Sequence, residues 1–318
     1  MDFNALYGVV ATLFVIMVVG FVCRKVGIID DAASKRMSAL ILKIGQPALI
    51  IHAVASAKYS LENLKIAGDI VLLGLAFHIV LAIIAFAICL PLRKNLDEQK
   101  ITEFSLIFAN CGFIGFPIFE ALFGAEGLFM AAFIVISFNV FIWTWGIAIF
   151  ARQRKDIKLT VKKIFLNYGT VPSVIGFTLF VLQAPEIGFT TPLFIIDACK
   201  FLGNLCTPIS VLITGALIAT LKPREIFTKW QVLYFNAIKL IALPLIICLI
   251  SKLVGLPDNY TMFFTAAAAL PTAASVSMLS ETYDVAPGYS GLLVGISSLL
   301  CVVSLPLMLN VAQWLLAL

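Results

Sequence analysis

Asn110, Cys111 and Gly112 stand inside an apolar stretch that reads Phe108-Ala109-Asn110-Cys111-Gly112-Phe113-Ile114-Gly115-Phe116-Pro117. Leu270, Pro271, Thr272 and Ser275 stand inside a second, Ala269-Leu270-Pro271-Thr272-Ala273-Ala274-Ser275. Both interrupt a run where a membrane helix should continue. An interruption frees backbone groups and points two half-helix ends into the membrane centre, and helix amino ends carry partial positive charge and spare N–H donors. That chemistry suits a carboxylate. The Asn110 amide donates and tolerates turn conformations, Gly112 admits close backbone approach, and Pro271 fits the first turn of a following half-helix. Thr272 and Ser275 add hydroxyls. We expect Asn110, Cys111, Gly112, Leu270, Pro271, Thr272 and Ser275 to form an anion cradle. The competing reading of Thr272 and Ser275 is that their hydroxyls only bond helix carbonyls.

Ionisable residues deep in apolar runs are expensive in lipid and are functional hypotheses by default. His78 and Lys239 are the coupling or electrostatic candidates. Lys239 would supply a fixed positive charge or, on burial, exchange a proton. His78 reads first as a neutral, hydrogen-bonded packing residue and second as a proton relay. Lys43 reads as snorkelling to the cytoplasmic face, and His52 lies near the outer end of its run. Trp143 and Trp145 read as packing or interfacial residues. Gln46, Asn139 and Ser210 are second-rank candidates for the cavity wall. Asp and Glu are missing from the middle of the runs, so the deep charge is positive and fits an anionic substrate.

The two interruptions occupy matching places. Sliding the sequence by 161 residues lays Pro271 on Asn110, Pro208 on Pro47, Gly169 on Gly8, Gly288 on Gly127, Ser298 on Ser137 and Lys239 on His78. Paired interruptions in corresponding halves point to the binding site of a secondary transporter, and an unwound turn is tolerated in lipid only where it lines a cavity or is buried in protein.

The elements that must position these residues follow from composition. The chain has 318 residues, 62% hydrophobic and 12% charged, against about 25% charged in soluble domains. It reads as an all-α integral membrane protein. Ten spans of bilayer length fall at 5–23, 37–57, 67–91, 102–123, 127–150, 164–183, 193–220, 231–254, 260–281 and 288–316. Sixteen of the 22 basic residues fall in the loops after spans one, three, five and seven, which places those loops in the cytoplasm and both termini outside. Five spans in 1–151, a basic cytoplasmic linker at 152–163 and five spans in 164–318 make two repeats of opposite orientation. The start lacks the basic residues of a cleavable signal peptide. The seven scattered cysteines, without a C-x-x-C, read as small core residues rather than a metal or disulfide set.

Gly45-Gln46-Pro47-Ala48-Leu49-Ile50-Ile51, the segment Ala109–Pro117 followed by Leu122-Phe123-Gly124, Thr207-Pro208-Ile209-Ser210 with Gly215-Ala216, and Ser304-Leu305-Pro306-Leu307 together resemble the auxin efflux carrier family. That family includes plant PIN-type carriers and bacterial malate and malonate permeases. The resemblance covers essentially the whole chain. It implies ten transmembrane helices in two inverted five-helix repeats, with crossed broken helices 4 and 9 at the substrate. It also implies a scaffold of helices 1, 2, 6 and 7, a mobile transport domain of helices 3–5 and 8–10, and elevator-like movement. The plant carriers' long central hydrophilic loop is absent, which favours a microbial carrier. Cys111 stands where the motif often has Thr.

The expected function is a secondary active transporter of small organic anions, malate-like carboxylates foremost, in the plasma (inner) membrane. No cofactor, metal or nucleic acid is expected. The partners are the carboxylate, the lipid bilayer and a second copy of the chain through the scaffold helices. The alternatives are a sodium-coupled carrier like the bile-acid symporters and, more remotely, an intramembrane enzyme. The enzyme would need a metal or nucleophile constellation, and the chain has no H-E-x-x-H and only two histidines.

Overall fold

The computed structural model describes residues 3–90, 95–152, 166–221 and 230–317. The linker 152–163, apart from Arg152, and the basic residues Arg93, Lys94, Lys222, Arg224 and Lys229 lie outside them. Helices make up the regular structure of the described residues, with no named strand. In chain order the helices are α1 (Phe3–Lys25), α2 (Asp31–Ala55), α3 (Leu61–Cys89), α4 (Leu96–Ile107), α5 (Cys111–Ala151), α6 (Thr170–Val181), α7 (Leu193–Ile218), α8 (Trp230–Leu253), α9 (Asp258–Ala269), α10 (Ser275–Tyr283) and α11 (Pro287–Ala317).

Seven of these, α1, α2, α3, α5, α7, α8 and α11, are long and apolar enough to cross a membrane alone. The difference from ten spans has a local cause. The 41 residues of α5 cover parts of two expected spans and turn at Gly124, whose φ of 62° and ψ of −143° are outside the helical region. The expected fourth and ninth spans are each divided at an interruption, into α4 with the start of α5 and into α9 with α10. The helix α6 has only 12 residues.

Local signals explain the ends. Asp30, Ser60 and Asn95 cap α2, α3 and α4 by accepting from the backbone N–H groups of Ala33, Asn63 and Glu98, which satisfies donors that a helix start leaves free. Wider π-helical turns lie at Ile41–Gly45 in α2, Cys111–Gly115 in α5, Ile142–Gly146 in α5 and Ile238–Ala242 in α8. Such turns shift the register of the following helix and are frequent at functional sites.

Packing sorts the helices into two groups. Helix α1 packs along the second half of α7, while the second half of α2 packs on α6 and on the first half of α7. The α1–α7 crossing is close because Gly20 faces the Leu212 carbonyl and Gly215 faces the Met17 carbonyl, where a Cβ has no room. In the other group α3 packs on α4 and α5, α8 on α9, and α11 on α4, α8, α9 and α10. The groups meet where α1 contacts α5 and α11, α2 contacts α5, and α7 contacts α11 and the first turn of α5.

Candidate functional site

The two interruptions touch. Ala109 and Thr272 form an isolated antiparallel bridge. The Asn110 N–H donates to the Pro271 carbonyl at 2.8 Å and the Ala273 N–H donates to the Phe108 carbonyl at 3.0 Å. Backbone groups that the broken helices cannot satisfy internally are thus satisfied by each other, the condition for irregular chain at membrane depth.

At the first interruption α4 ends at Ile107, Phe108 is extended, and the chain turns at Asn110, where the Cys111 N–H donates to the Ala109 carbonyl at 2.8 Å. Cys111 and Gly112, expected in unwound chain, already belong to the wide turn that starts α5; the Gly115 N–H reaches back to the Asn110 carbonyl at 2.9 Å. Asn110 is buried, yet its side-chain amide makes no hydrogen bond among the described residues. It stands beside the amino end of α5, whose first N–H groups have no partner within the helix. Gly112 faces Gln46 of α2; a Cβ there would lie 3.3 Å from the Gln46 Nε2. Gln46 is buried as well and also lacks a hydrogen-bond partner among the described residues. Two unused amides from different helix groups therefore flank Gly112.

The carboxyl end of α4 is capped by side chains from elsewhere. Lys239 Nζ donates to the Leu106 carbonyl at 3.1 Å. Thr272 Oγ1 makes a long hydrogen bond, 3.4 Å, to the Ser105 carbonyl. Lys239 is fully buried and, among the described residues, faces no carboxylate in an ion pair. An ammonium at a helix carboxyl end is in a favourable field, because carbonyl dipoles collect about half a negative charge there.

The second interruption is more closed. Pro271 has no N–H, Thr272 is fully buried, and its N–H is taken by Ser297 Oγ of α11 at 3.1 Å. The Thr272 hydroxyl's bond to Ser105 matches the plainer of the two readings of that residue. Leu270 packs its side chain against Gly115. Ser275 opens α10 with a buried hydroxyl that has no hydrogen-bond partner among the described residues. An apolar cleft runs beside the interruptions between the helix groups, with Val10 and Met17 of α1, Ile114 of α5, Val211 of α7, Pro271, and Ser298 of α11 among its walls.

Other expected residues lie apart. His78 bonds its own helix, with Nδ1 2.7 Å from the Gly74 carbonyl, and sits among the rings of Phe77, Phe108, Phe138 and Phe141. Asn139 donates from Nδ2 to the Val135 carbonyl and faces Gly169. Ser210 is buried in α7, and its carbonyl accepts from Thr214. Lys43 is exposed, as is Trp145. His52 contacts Ser56 at 3.0 Å.

Three features were not singled out from the residues. Thr207 Oγ1 donates to the Phe113 carbonyl at 2.9 Å, tying α7 to the wide turn of α5; its place immediately before Pro208 was the available signal. Ser297 holds the Thr272 N–H, and nothing in the linear pattern separates it from other membrane serines. Glu103 is buried in α4 and takes Arg152 by both carboxylate oxygens, the longer contact being 2.8 Å.

Comparison with known proteins places the chain among transporters. The chain is 21% identical over 282 residues to an uncharacterized transporter of Methanocaldococcus jannaschii, covering 87% of this chain and 89% of that protein. A second similarity, 24% over 127 residues, is to an uncharacterized transporter of Methanothermobacter thermautotrophicus and covers 39% of this chain and 40% of that one. The model of the family described as membrane transport protein matches residues 5–309, so the chain belongs to that family, the auxin efflux carrier family.

Proposed function

We propose that this membrane transporter is a secondary active carrier of small organic anions, with malate-like carboxylates its leading substrates. The observation that carries the reading is the junction of the two interruptions: a buried, unused Asn110 amide beside the amino end of α5, held by backbone pairing with Pro271 and Phe108. An anionic oxygen there meets amide and helix N–H donors, and hydrogen bonds to charged groups are the stronger kind. Gln46 supplies a further donor from the opposite helix group, and Cys111, Gly112 and Ser275 complete the wall.

The movement is elevator-like. Helices α1, α2, α6 and α7 form the scaffold, and α3–α5 with α8–α11 form the transport domain. Two inverted five-helix repeats, 1–151 and 164–318, give ten crossings once the divided helices are counted as single spans. Element spacing supports the repeat. Shifted by 161 residues, Leu96–Ile107 lands on 257–268, and α9 is Asp258–Ala269. The Gly124 turn lands on Val285, between Asp284 at φ 50° and Ala286 at φ 43°. The chain sits in the plasma membrane with both termini outside, and the scaffold helices are the surface for a homodimer.

The test is uptake by purified protein in liposomes, with a panel of labelled carboxylates under imposed proton, sodium and voltage gradients. Carboxylate accumulation driven by a gradient is the expected result. Sodium-dependent uptake would favour a symporter of the bile-acid kind, and no carboxylate uptake under any gradient would refute the anion reading.

A further inference from the structure

The described residues contain three fully or nearly buried side chains with a formal charge, and they are not equivalent. Glu103 is matched by Arg152, and Lys100 by Asp97 at 3.1 Å. Lys239 alone has no counter-charge among the described residues. Among the described residues its ammonium has one hydrogen-bond partner, the Leu106 carbonyl at the carboxyl end of α4. That end offsets about half a charge. A buried charge is otherwise costly, so an unmatched one calls for a reason.

Its position supplies one. Leu106 lies two residues before Phe108, whose carbonyl pairs with Ala273 across the junction. Lys239 therefore joins α8 to α4 immediately behind the place where an anion would sit. It is fully buried, so it touches no substrate and acts through its field.

We infer that Lys239 is the built-in counter-charge of the translocated anion, a positioning residue that travels with it. This rests on the anion-carrier reading above and extends it to charge accounting. With the other buried charges paired, the empty moving group carries one net positive buried charge on Lys239. A singly charged carboxylate makes it neutral. A doubly charged carboxylate such as malate leaves one net negative charge. The electrical character of the moving step is thus set by substrate charge minus Lys239.

The experiment is transient charge movement after voltage steps in voltage-clamped membranes holding the full chain, for wild type, Lys239→Met, Lys239→Gln and Lys239→Arg. It is run without substrate, with saturating L-lactate and with saturating L-malate. A unit charge crossing the whole field shifts the inward–outward distribution about fortyfold per 100 mV. Empty wild type should move positive charge, lactate should suppress the movement, and malate should reverse its sign. Lys239→Met and Lys239→Gln should show no movement when empty and negative movement with lactate. Lys239→Arg should follow wild type. Absence of movement in empty wild type, or the same movement in either neutral variant, overturns the proposal. If neither anion alters the movement and neither enters liposomes, the anion-carrier reading fails, while the substrate-free records still decide whether Lys239 carries the moving charge.

Discussion

The two interruptions are built alike and finished differently. Each follows a 12-residue half-helix, α4 or α9, and each lends backbone groups to the other. The first leaves polar capacity unused, in the Asn110 amide, the neighbouring Gln46 amide and the amino end of α5. It also has a charge behind it in Lys239. The second spends its polar groups on architecture, the Ser275 hydroxyl excepted. Pro271 has no N–H, the Thr272 N–H is held by Ser297, and the Thr272 hydroxyl faces Ser105. The capping of the half-helices differs in the same sense. Ammonium and hydroxyl groups meet the carbonyls at the end of α4, whereas the Ala269 carbonyl at the end of α9 receives a long thiol contact, 3.7 Å from Cys301. The first interruption thus keeps unused donors, while most polar groups of the second hold the junction together.

That contrast is open to direct attack. The largest effect is expected from Asn110→Ala, which should weaken binding of labelled L-malate by about ten- to a hundredfold, the equivalent of roughly 1.5–3 kcal/mol of hydrogen bonds to a charged group. Its thermal midpoint should stay near wild type, since the amide bonds nothing in the described protein. Full affinity in a folded Asn110→Ala protein would move the site elsewhere.

Ser297→Ala should show the opposite profile. It strands the buried Thr272 N–H and should cost about 1–3 kcal/mol of stability, read as a lower unfolding midpoint in detergent. A variant with wild-type stability but lost binding would reverse the roles assigned to the interruptions.

Thr207→Val removes one hydroxyl bond between the helix groups, worth about 1 kcal/mol. It should shift the distribution of carrier states about fivefold with little change in binding. Accessibility of single cysteines introduced along the cleft measures that shift. An unchanged labelling pattern would mean that Thr207 does not restrain the movement.

The smallest effect is expected at His78. Its ring bonds Gly74 of the same helix and is enclosed by phenyl rings. His78→Gln should leave the pH profile of uptake nearly unchanged, and a displaced profile would restore His78 as a proton relay.

Much of the architecture was legible in order along the chain. Long apolar runs, a shortage of charge, and Gly and Pro at corresponding places mark a many-helix membrane protein with two interrupted segments, because lipid requires helices to satisfy their own backbone. The position of Asn110 at the break was legible for the same reason, as a polar amide where an apolar run is interrupted. Ser297, Thr207 and the Glu103–Arg152 pair were not, since their partners are distant in sequence and serine or threonine within a membrane helix ordinarily bonds its own turn. His78 and Lys239 show the division most clearly. The 161-residue offset makes them equivalent, and sequence alone determined that both are ionisable and deep. Only tertiary structure decided that one turns back to its own helix among aromatic rings while the other reaches the end of α4, because that choice depends on which carbonyl is left free within a side chain's reach.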